Sequence, residues 1–180
     1  MYFNEIFEPI YDFYYMRKNK YKELFFLVIL PVVLGVGIFL LENYVILNIN
    51  EQLVVFSNDI IGQLITVLAL FISFSMGYLS ILLTSSSQNI DDLKKTDSKE
   101  YRVKSGKCTL YQVNINEISY LVLIEIFFLI LVFFQKFIVT FAGNILIKVL
   151  LCLDISLFIH VLLVLIFVIK DIYFSFWRSI

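Results

Sequence analysis

Four long apolar runs, separated by charged or turn-forming segments, constrain this chain more than any other feature. Each is long enough to be a transmembrane α-helix, because a helix rises 1.5 Å per residue and needs about 20 apolar residues to cross the hydrocarbon core. Strands of a membrane barrel would alternate polar and apolar side chains, and these runs do not. The sequence therefore predicts an all-α, polytopic membrane protein with spans at residues 24–47, 60–84, 118–141 and 145–169.

Composition and charge predict one bundle with both termini in the cytoplasm. Hydrophobic residues make up 61% of the chain, so residues 1–180 form a single transmembrane domain with no independent soluble domain. Lys and Arg gather before the first run, between the second and third, and after the fourth, whereas the segment between the first and second has none. Since cationic residues stay on the cytoplasmic side, we expect a multi-pass protein of the inner (cytoplasmic) membrane.

Residues 1–23 precede the first span and predict an amphipathic helix that lies at the membrane interface. Pro9 has no backbone N–H, so a break is expected just before it. Membrane anchoring is favoured over the docking of a partner. The apolar face has helical spacing and consists of Phe3, Ile6, Phe7, Ile10, Tyr11 and Tyr14.

Small residues punctuate the first and second spans. In the first, Pro31, Gly35 and Gly37 loosen the helix and let a neighbouring backbone approach. In the second, small or hydroxyl-bearing residues recur every three or four positions and define one helical face, the small-residue face. We interpret this face as tight packing within one protomer, and a pore lining or a contact between protomers is the alternative. Its members are Gly62, Thr66, Ala69, Ser73, Gly77, Ser80 and Thr84.

Three ionisable residues lie within the third and fourth spans, namely Glu125, Asp154 and His160. Intramembrane charge is costly and usually faces protein or water, so each is a candidate functional residue. A tight turn near residue 142 would place Glu125 and His160 at equal depth, which predicts a hydrogen bond between them. A static polar contact is favoured over a proton relay. Asp154 falls near the depth of Thr66 and Ser73, whose hydroxyls are its predicted partners.

The loop of residues 85–117 is predicted to be cytoplasmic. Ser85 to Lys95 is expected to continue the second helix, Ser105 and Gly106 mark a turn, and Leu110 to Ile115 is expected to lead helically into the third span. A short hairpin of Tyr101 to Leu110 around Ser105-Gly106 is the alternative. The rule that positive charge stays inside accounts for its six basic residues. Binding of nucleotide, nucleic acid or anionic lipid is the alternative, and interleaved acids weaken the nucleic-acid reading. The basic residues are Lys94, Lys95, Lys99, Arg102, Lys104 and Lys107.

The sequence carries no motif of an enzyme. It has no glycine-rich phosphate loop, no Cys/His metal spacing, no His-Glu-x-x-His helix and no Gly-x-Ser-x-Gly elbow. The single His has no nucleophile in a catalytic arrangement. We therefore expect a protein without catalytic activity, cofactor or metal.

One family resemblance comes from the second span and its exit. The stretch Phe74–Ser87, followed by Leu110-Tyr111-Gln112 and by Tyr120–Glu125, resembles small four-span membrane proteins of prokaryotic antiviral defence loci, such as the membrane subunit of the Kiwa system. The resemblance covers the middle of the chain. It implies a homo-oligomer that senses membrane perturbation during infection, or executes a membrane response, beside a cytosolic protein partner.

The functional hypothesis is therefore an oligomeric integral membrane protein that acts as sensor or effector in phage defence. Its expected partners are the lipid bilayer, further copies of itself and a cytosolic protein. Two alternatives stay open, an ion-conducting or holin-like pore and a scaffold that anchors a cytosolic enzyme. A pore predicts that Gly77→Leu abolishes leak while assembly persists, whereas a scaffold predicts that changes at Lys94, Lys99 or Lys104 uncouple a partner.

Overall fold

The computed structural model describes residues 7–15, 17, 22–23, 25–45, 50–103 and 106–178. Helices make up most of it, and the described part contains no closed sheet, which confirms the helical class. In chain order the elements are α1 Glu8–Tyr15, a π-helical turn Phe25–Ile29 that runs into α2 Leu30–Val45, α3 Asn50–Thr84, α4 Gln88–Lys95, the strands β1 Asp97–Val103 and β2 Gly106–Thr109, α5 Leu110–Val139 and α6 Asn144–Arg178.

Three helices in the described ranges are long and apolar enough to cross a membrane, Leu53–Thr84, Leu110–Val139 and Asn144–Tyr173. The chain is therefore a membrane protein by length and composition of its helices. The first predicted run appears as a shorter apolar helix, Phe25–Leu40, and residues 24 and 46–49 lie outside the described residues.

Two helices extend beyond the predicted spans. Helix α3 begins at Asn50, ten residues before the predicted span, and Leu53, Ser57 and Ile61 recur at helical spacing and are buried. Helix α5 begins at Leu110, which confirms the prediction that the chain leads helically into the third span. Thr109 and Gln112 fix this start by a capping box, in which each side chain bonds the other's backbone N–H.

The segment between α3 and α5 also differs from its prediction. Ser85 to Lys95 does not continue α3, because the chain leaves the helix after Thr84 and Ser87 caps a separate helix, α4. The hairpin alternative is confirmed, since β1 pairs antiparallel with β2 and Val103 lies opposite Gly106. Gly106 has φ +120°, a conformation that favours glycine at this turn. Ser105 lies outside the described residues.

Helix α5 lies at the centre of the bundle and contacts α3, α6, α1 and α4. Its buried face recurs every three or four residues and mixes apolar with polar side chains. The buried residues of this face include Val113, Asn114, Glu117, Leu121, Glu125, Phe128, Val132, Gln135 and Val139.

The first apolar helix packs against α6 through a close backbone approach. A Cβ added at Gly35 would collide with Ser156 Oγ and lie 2.8 Å from the Cys152 carbonyl oxygen. A Cβ at Gly37 would meet nothing within 4 Å. The predicted approach of a neighbouring backbone is therefore confirmed at Gly35 alone of these two glycines.

Helix α1 starts at Glu8, one residue before Pro9, so the expected break falls where the described helix begins. Phe3 and Ile6 of the predicted apolar face lie outside the described residues. The helix does not simply rest on the interface, because it packs on α5 through Phe13, which is 1% exposed. Phe7, Tyr11 and Tyr15 point away from the bundle and are exposed.

Candidate functional site

A histidine side chain bonds the backbone of the first apolar helix next to its proline. His160 of α6 bonds through Nδ1 to the carbonyl oxygen of Leu27 in the π-helical turn. In a regular α-helix this carbonyl would accept from the N–H four residues later, but that residue is Pro31, which has none. Because a carbonyl oxygen can only accept, His160 Nδ1 carries the proton.

Two tyrosines extend this contact towards α1. His160 Nε2 lies 2.7 Å from the Tyr120 hydroxyl of α5, which lies 3.0 Å from the Tyr14 hydroxyl of α1. With neutral His160, Tyr120 donates to Nε2 and accepts from Tyr14. Burial raises the pKa of Tyr14, outweighing its hydrogen bond to Tyr120 and the charge of Arg17, which both lower it. Tyr14 therefore stays a neutral donor at physiological pH.

A buried ion cluster lies beside these hydroxyls. Arg17 Nη1 donates to Glu23 Oε2 at 2.5 Å, and Nη2 donates to Glu117 Oε1 at 3.1 Å. Arg17 and Glu117 are each 2% exposed. The guanidinium also lies 4.2 Å from the ring centre of Phe13 and 5.3 Å from that of Phe167, which places it between α1 and α6.

Ring stacking joins the ion cluster to the tyrosines. The rings of Phe13 and Tyr120 stack with centres 3.9 Å apart and planes 10° apart. Tyr14 meets the edge of Tyr120 at 5.7 Å. Helix α1 is therefore held on the bundle by stacking, by a hydroxyl and by an ion pair. We call this region, which runs from α1 over α5 and α6 to the π-helical turn, the α1 end of the bundle.

The predicted pair of Glu125 and His160 does not form. Both ring nitrogens of His160 bond elsewhere, and Glu125 Oε1 accepts from Ser75 Oγ of α3 at 3.2 Å. The predicted pairing at equal depth holds only for an isolated hairpin of α5 and α6. In the bundle, α3 packs on the face of α5 that carries Glu125. Glu125 and Ser75 are both fully buried.

The predicted partners of Asp154 are also wrong. Thr66 and Ser73 bond the carbonyls four residues earlier on their own helix and are exposed. Asp154 is 1% exposed and interacts with Gln135 of α5, which is 2% exposed. Within the described residues, no nitrogen or oxygen of either side chain forms a hydrogen bond of ordinary geometry.

The small-residue face lies on the outside of the bundle. All seven of its members are exposed, so the interpretation as packing within one protomer is wrong. A Cβ at Gly62 or Gly77 would meet nothing within 4 Å. The Thr84 hydroxyl, like those of Thr66 and Ser73, bonds a carbonyl of α3 itself. The face is therefore a smooth outer surface whose polar groups are partly satisfied within the helix.

The basic residues of the α3–α5 segment lie at its surface wherever their side chains are described. Lys94 lies near Asp91 and over the ring of Tyr111. The Asp97 carboxylate accepts a hydrogen bond from Lys107 and raises the pKa of the Lys107 ammonium group. Lys95 is also exposed. Lys104 and the side chains of Lys99 and Arg102 lie outside the described residues.

Five residues that form polar contacts in the structure are not predicted from the sequence, namely Arg17, Tyr14, Tyr120, Glu117 and Gln135. A signal for some of them was present, because the polar residues of α5 share its buried face with the core residues. Chemically, the hydroxyl chain can hold or reorient protons between His160 and Tyr14. In the described part of the chain, no three His, Cys, Asp or Glu side chains gather as a metal ion would require.

Comparison with known proteins does not assign a role to this site. The chain matches no protein-family model, no curated protein and no solved structure.

Proposed function

We propose that this chain is a membrane sensor of antiviral defence, and that α1 is the part that reads the membrane. The observation that carries the proposal is the two-sided attachment of α1. Tyr11 and Tyr15 stack on its outer side and are exposed, while Phe13 and Tyr14 on its inner side bind the bundle. A change in the surrounding lipid therefore acts on a helix that is bonded directly to the core.

Four spans with both termini in the cytoplasm fit this proposal. The π-helical turn of 5 residues and α2 of 16 residues together reach about 30 Å, enough to cross the hydrocarbon core. The basic segment between α3 and α5 would then lie in the cytoplasm of a cell whose inner membrane holds the protein. In this orientation α1 lies at the inner interface, where aromatic rings are favoured.

The exposed small-residue face supports a homo-oligomer. Lipid provides no hydrophobic drive for helix association, so close backbone approach between small residues is the main route by which spans of separate protomers pair. Gly77→Leu adds bulk to this face without touching the protomer's own core, because open space surrounds Gly77. In native-lipid nanodiscs we expect this variant to lose higher-order mass, whereas Gly143→Leu, also in open space, keeps it.

The antiviral role and the cytosolic partner rest on the resemblance of the second span and its exit. They are tested by phage plating on cells with and without the chain. We expect protection to require the outer rings of α1, so Tyr11→Ser with Tyr15→Ser abolishes it while the protein still assembles. The matched control is Phe141→Ser, which removes an aromatic ring that is 91% exposed in the α5–α6 turn.

Two results would overturn the proposal. Unchanged plating after deletion of the gene, across a broad phage panel, would remove the defence role. Equal loss of protection in the double variant and in Phe141→Ser would remove the special role of α1.

A pore is the second candidate, and the same face favours it. If a ring of copies turned the small-residue face inward, it would present the hydroxyl-bearing residues Thr66, Ser73, Ser80 and Thr84 to the lumen. Gly77→Leu would then block leak of dye or ions from vesicles, and an unaltered leak would exclude this arrangement.

A further inference from the structure

We propose that the chain of contacts Tyr14–Tyr120–His160–Leu27 is a latch, which couples the docking of α1 to the shape of the first apolar helix. The latch deepens the proposed sensor and rests on it for its biological meaning. The coupling itself is a property of the fold, and it can be measured without infection.

The first element of the latch is the hinge that it holds. Pro31 removes the α-helical donor of the Leu27 carbonyl, in a segment that already departs from regular α-helix. Proline and π-helical turns are the usual places at which helices kink. The hydrogen bond from His160 ties the Leu27 carbonyl to α6 and so favours one shape of this turn.

The second element is the proton on His160. The ring serves Leu27 only while the hydrogen is on Nδ1, and which nitrogen carries it depends on the partner of the other. Tyr120 donates to Nε2 and so keeps that nitrogen free of hydrogen. If the Tyr120 hydroxyl turns away, Nε2 can take the proton, and Leu27 then loses its donor.

The third element is the control of Tyr120 by α1. Phe13 stacks on the ring of Tyr120, and Tyr14 donates to its hydroxyl. Both residues belong to α1, and Arg17, two residues after its end, bonds Glu117 and Glu23. Undocking of α1 thus removes the stacking partner and the hydroxyl donor of Tyr120 together. The signal passes from α1 to the hinge through α5 and α6.

The test uses the fact that the chain has one His. Labelling with ¹⁵N-histidine gives one imidazole, whose nitrogen shifts report the position of the proton in the full chain in nanodiscs. We expect the Nδ1–H form in the natural chain. Tyr120→Phe keeps the ring but removes the hydroxyl, so the Nε2–H form should gain population and amide exchange in residues 25–32 should rise about twofold to tenfold.

Variants of α1 test the coupling at a distance. Phe13→Ala and Tyr14→Phe should shift the His160 proton in the same direction, because both residues act on Tyr120. Tyr111→Phe is the matched control, because it removes a part-buried hydroxyl that bonds the Leu82 carbonyl far from the hinge. Pro31→Ala restores the missing N–H, so exchange in residues 25–32 should become insensitive to Tyr120→Phe.

An Nε2–H form in the natural chain would overturn the latch. So would α1 variants that leave both His160 and residues 25–32 unchanged. These results are independent of phage plating. A working latch with unaltered plating would refute the sensor alone, whereas loss of protection in the α1 ring variant without coupling to His160 would refute the latch alone.

Discussion

Polar groups at the α1 end and in the middle of the bundle are equally buried but differently satisfied. At the α1 end, Arg17 and Glu117 bond each other across 100 positions of sequence, and His160 has a partner on each ring nitrogen. In the middle, Asp154 and Gln135 form no hydrogen bond of ordinary geometry within the described residues. Burial alone therefore does not define a structural polar residue, and the decisive property is whether its partners are supplied.

The contrast has an energetic consequence. Removing one member of a buried pair leaves the other charged and unpaired, which costs more than the pair contributed. Removing a polar group that lacks partners relieves a desolvation cost. Variants at the two places should therefore change stability in opposite directions.

The largest effect is expected at Glu117. Glu117→Leu removes a buried carboxylate partner of the Arg17 guanidinium, and should lower the free energy of unfolding by about 3–5 kcal/mol. Unfolding in mixed SDS micelles measures it. Lys107→Ala, which breaks an exposed pair with Asp97, is the control and should change little. Equal effects of the two variants would show that the buried ion pair at the α1 end contributes no more to stability than an exposed pair.

The next effect tests whether packing, rather than polarity, holds the first apolar helix. Gly35→Ala forces its Cβ against Ser156 and the backbone of Cys152, which should cost about 1–3 kcal/mol. Gly37→Ala adds the same methyl group in open space and should be neutral. If Gly37→Ala lowers the free energy of unfolding as much as Gly35→Ala, the loss at Gly35 does not come from the close approach of α2 to α6.

A smaller change of opposite sign is expected in the middle of the bundle. Asp154→Leu replaces a buried carboxyl by an apolar side chain of similar size and should raise the free energy of unfolding by about 1 kcal/mol. The same SDS titration measures it. A clear loss of stability instead would show that Asp154 has a bound water, ion or partner, and would place it with the satisfied groups of the α1 end.

The smallest effect concerns a thiol near α1. Burial raises the pKa of Cys108, and the nearby Asp12 carboxylate raises it further. Because only the thiolate reacts, maleimide labelling should be slow at pH 7.5 and should accelerate as the pH rises. Ser86→Cys places an exposed thiol as reference. Labelling of Cys108 as fast as the reference would show that α1 and the hairpin do not cover it.

The sequence predicted the long helices well, because apolar length and capping residues are local signals. Thr109 and Gln112 even mark the start of α5 by their spacing. The docking of α1 is not predictable from its hydrophobic face, because the pattern alone assigns that face to lipid. Phe13 falls off that face, and its partner Tyr120 is distant in sequence.

The polar contacts were harder to predict than the spans. Glu125, Asp154 and His160 were identified as candidates, yet their partners come from helices whose packing has no local signal. Pro31 predicts that the Leu27 carbonyl needs a donor, but the sequence does not name His160 as that donor. The exposure of the small-residue face likewise depends on the rotation of α3 about its own axis against α5, which has no local signal in the sequence.

The length of α3 has one further consequence. Its apolar run, residues 60–84, has 25 residues and is about 38 Å long, whereas a typical hydrocarbon core is about 30 Å thick. An upright α3 would carry apolar turns far into the headgroups, so the helix must tilt, or the bilayer around it must thicken. A membrane that thins locally increases this mismatch and favours a larger tilt of α3 against α5.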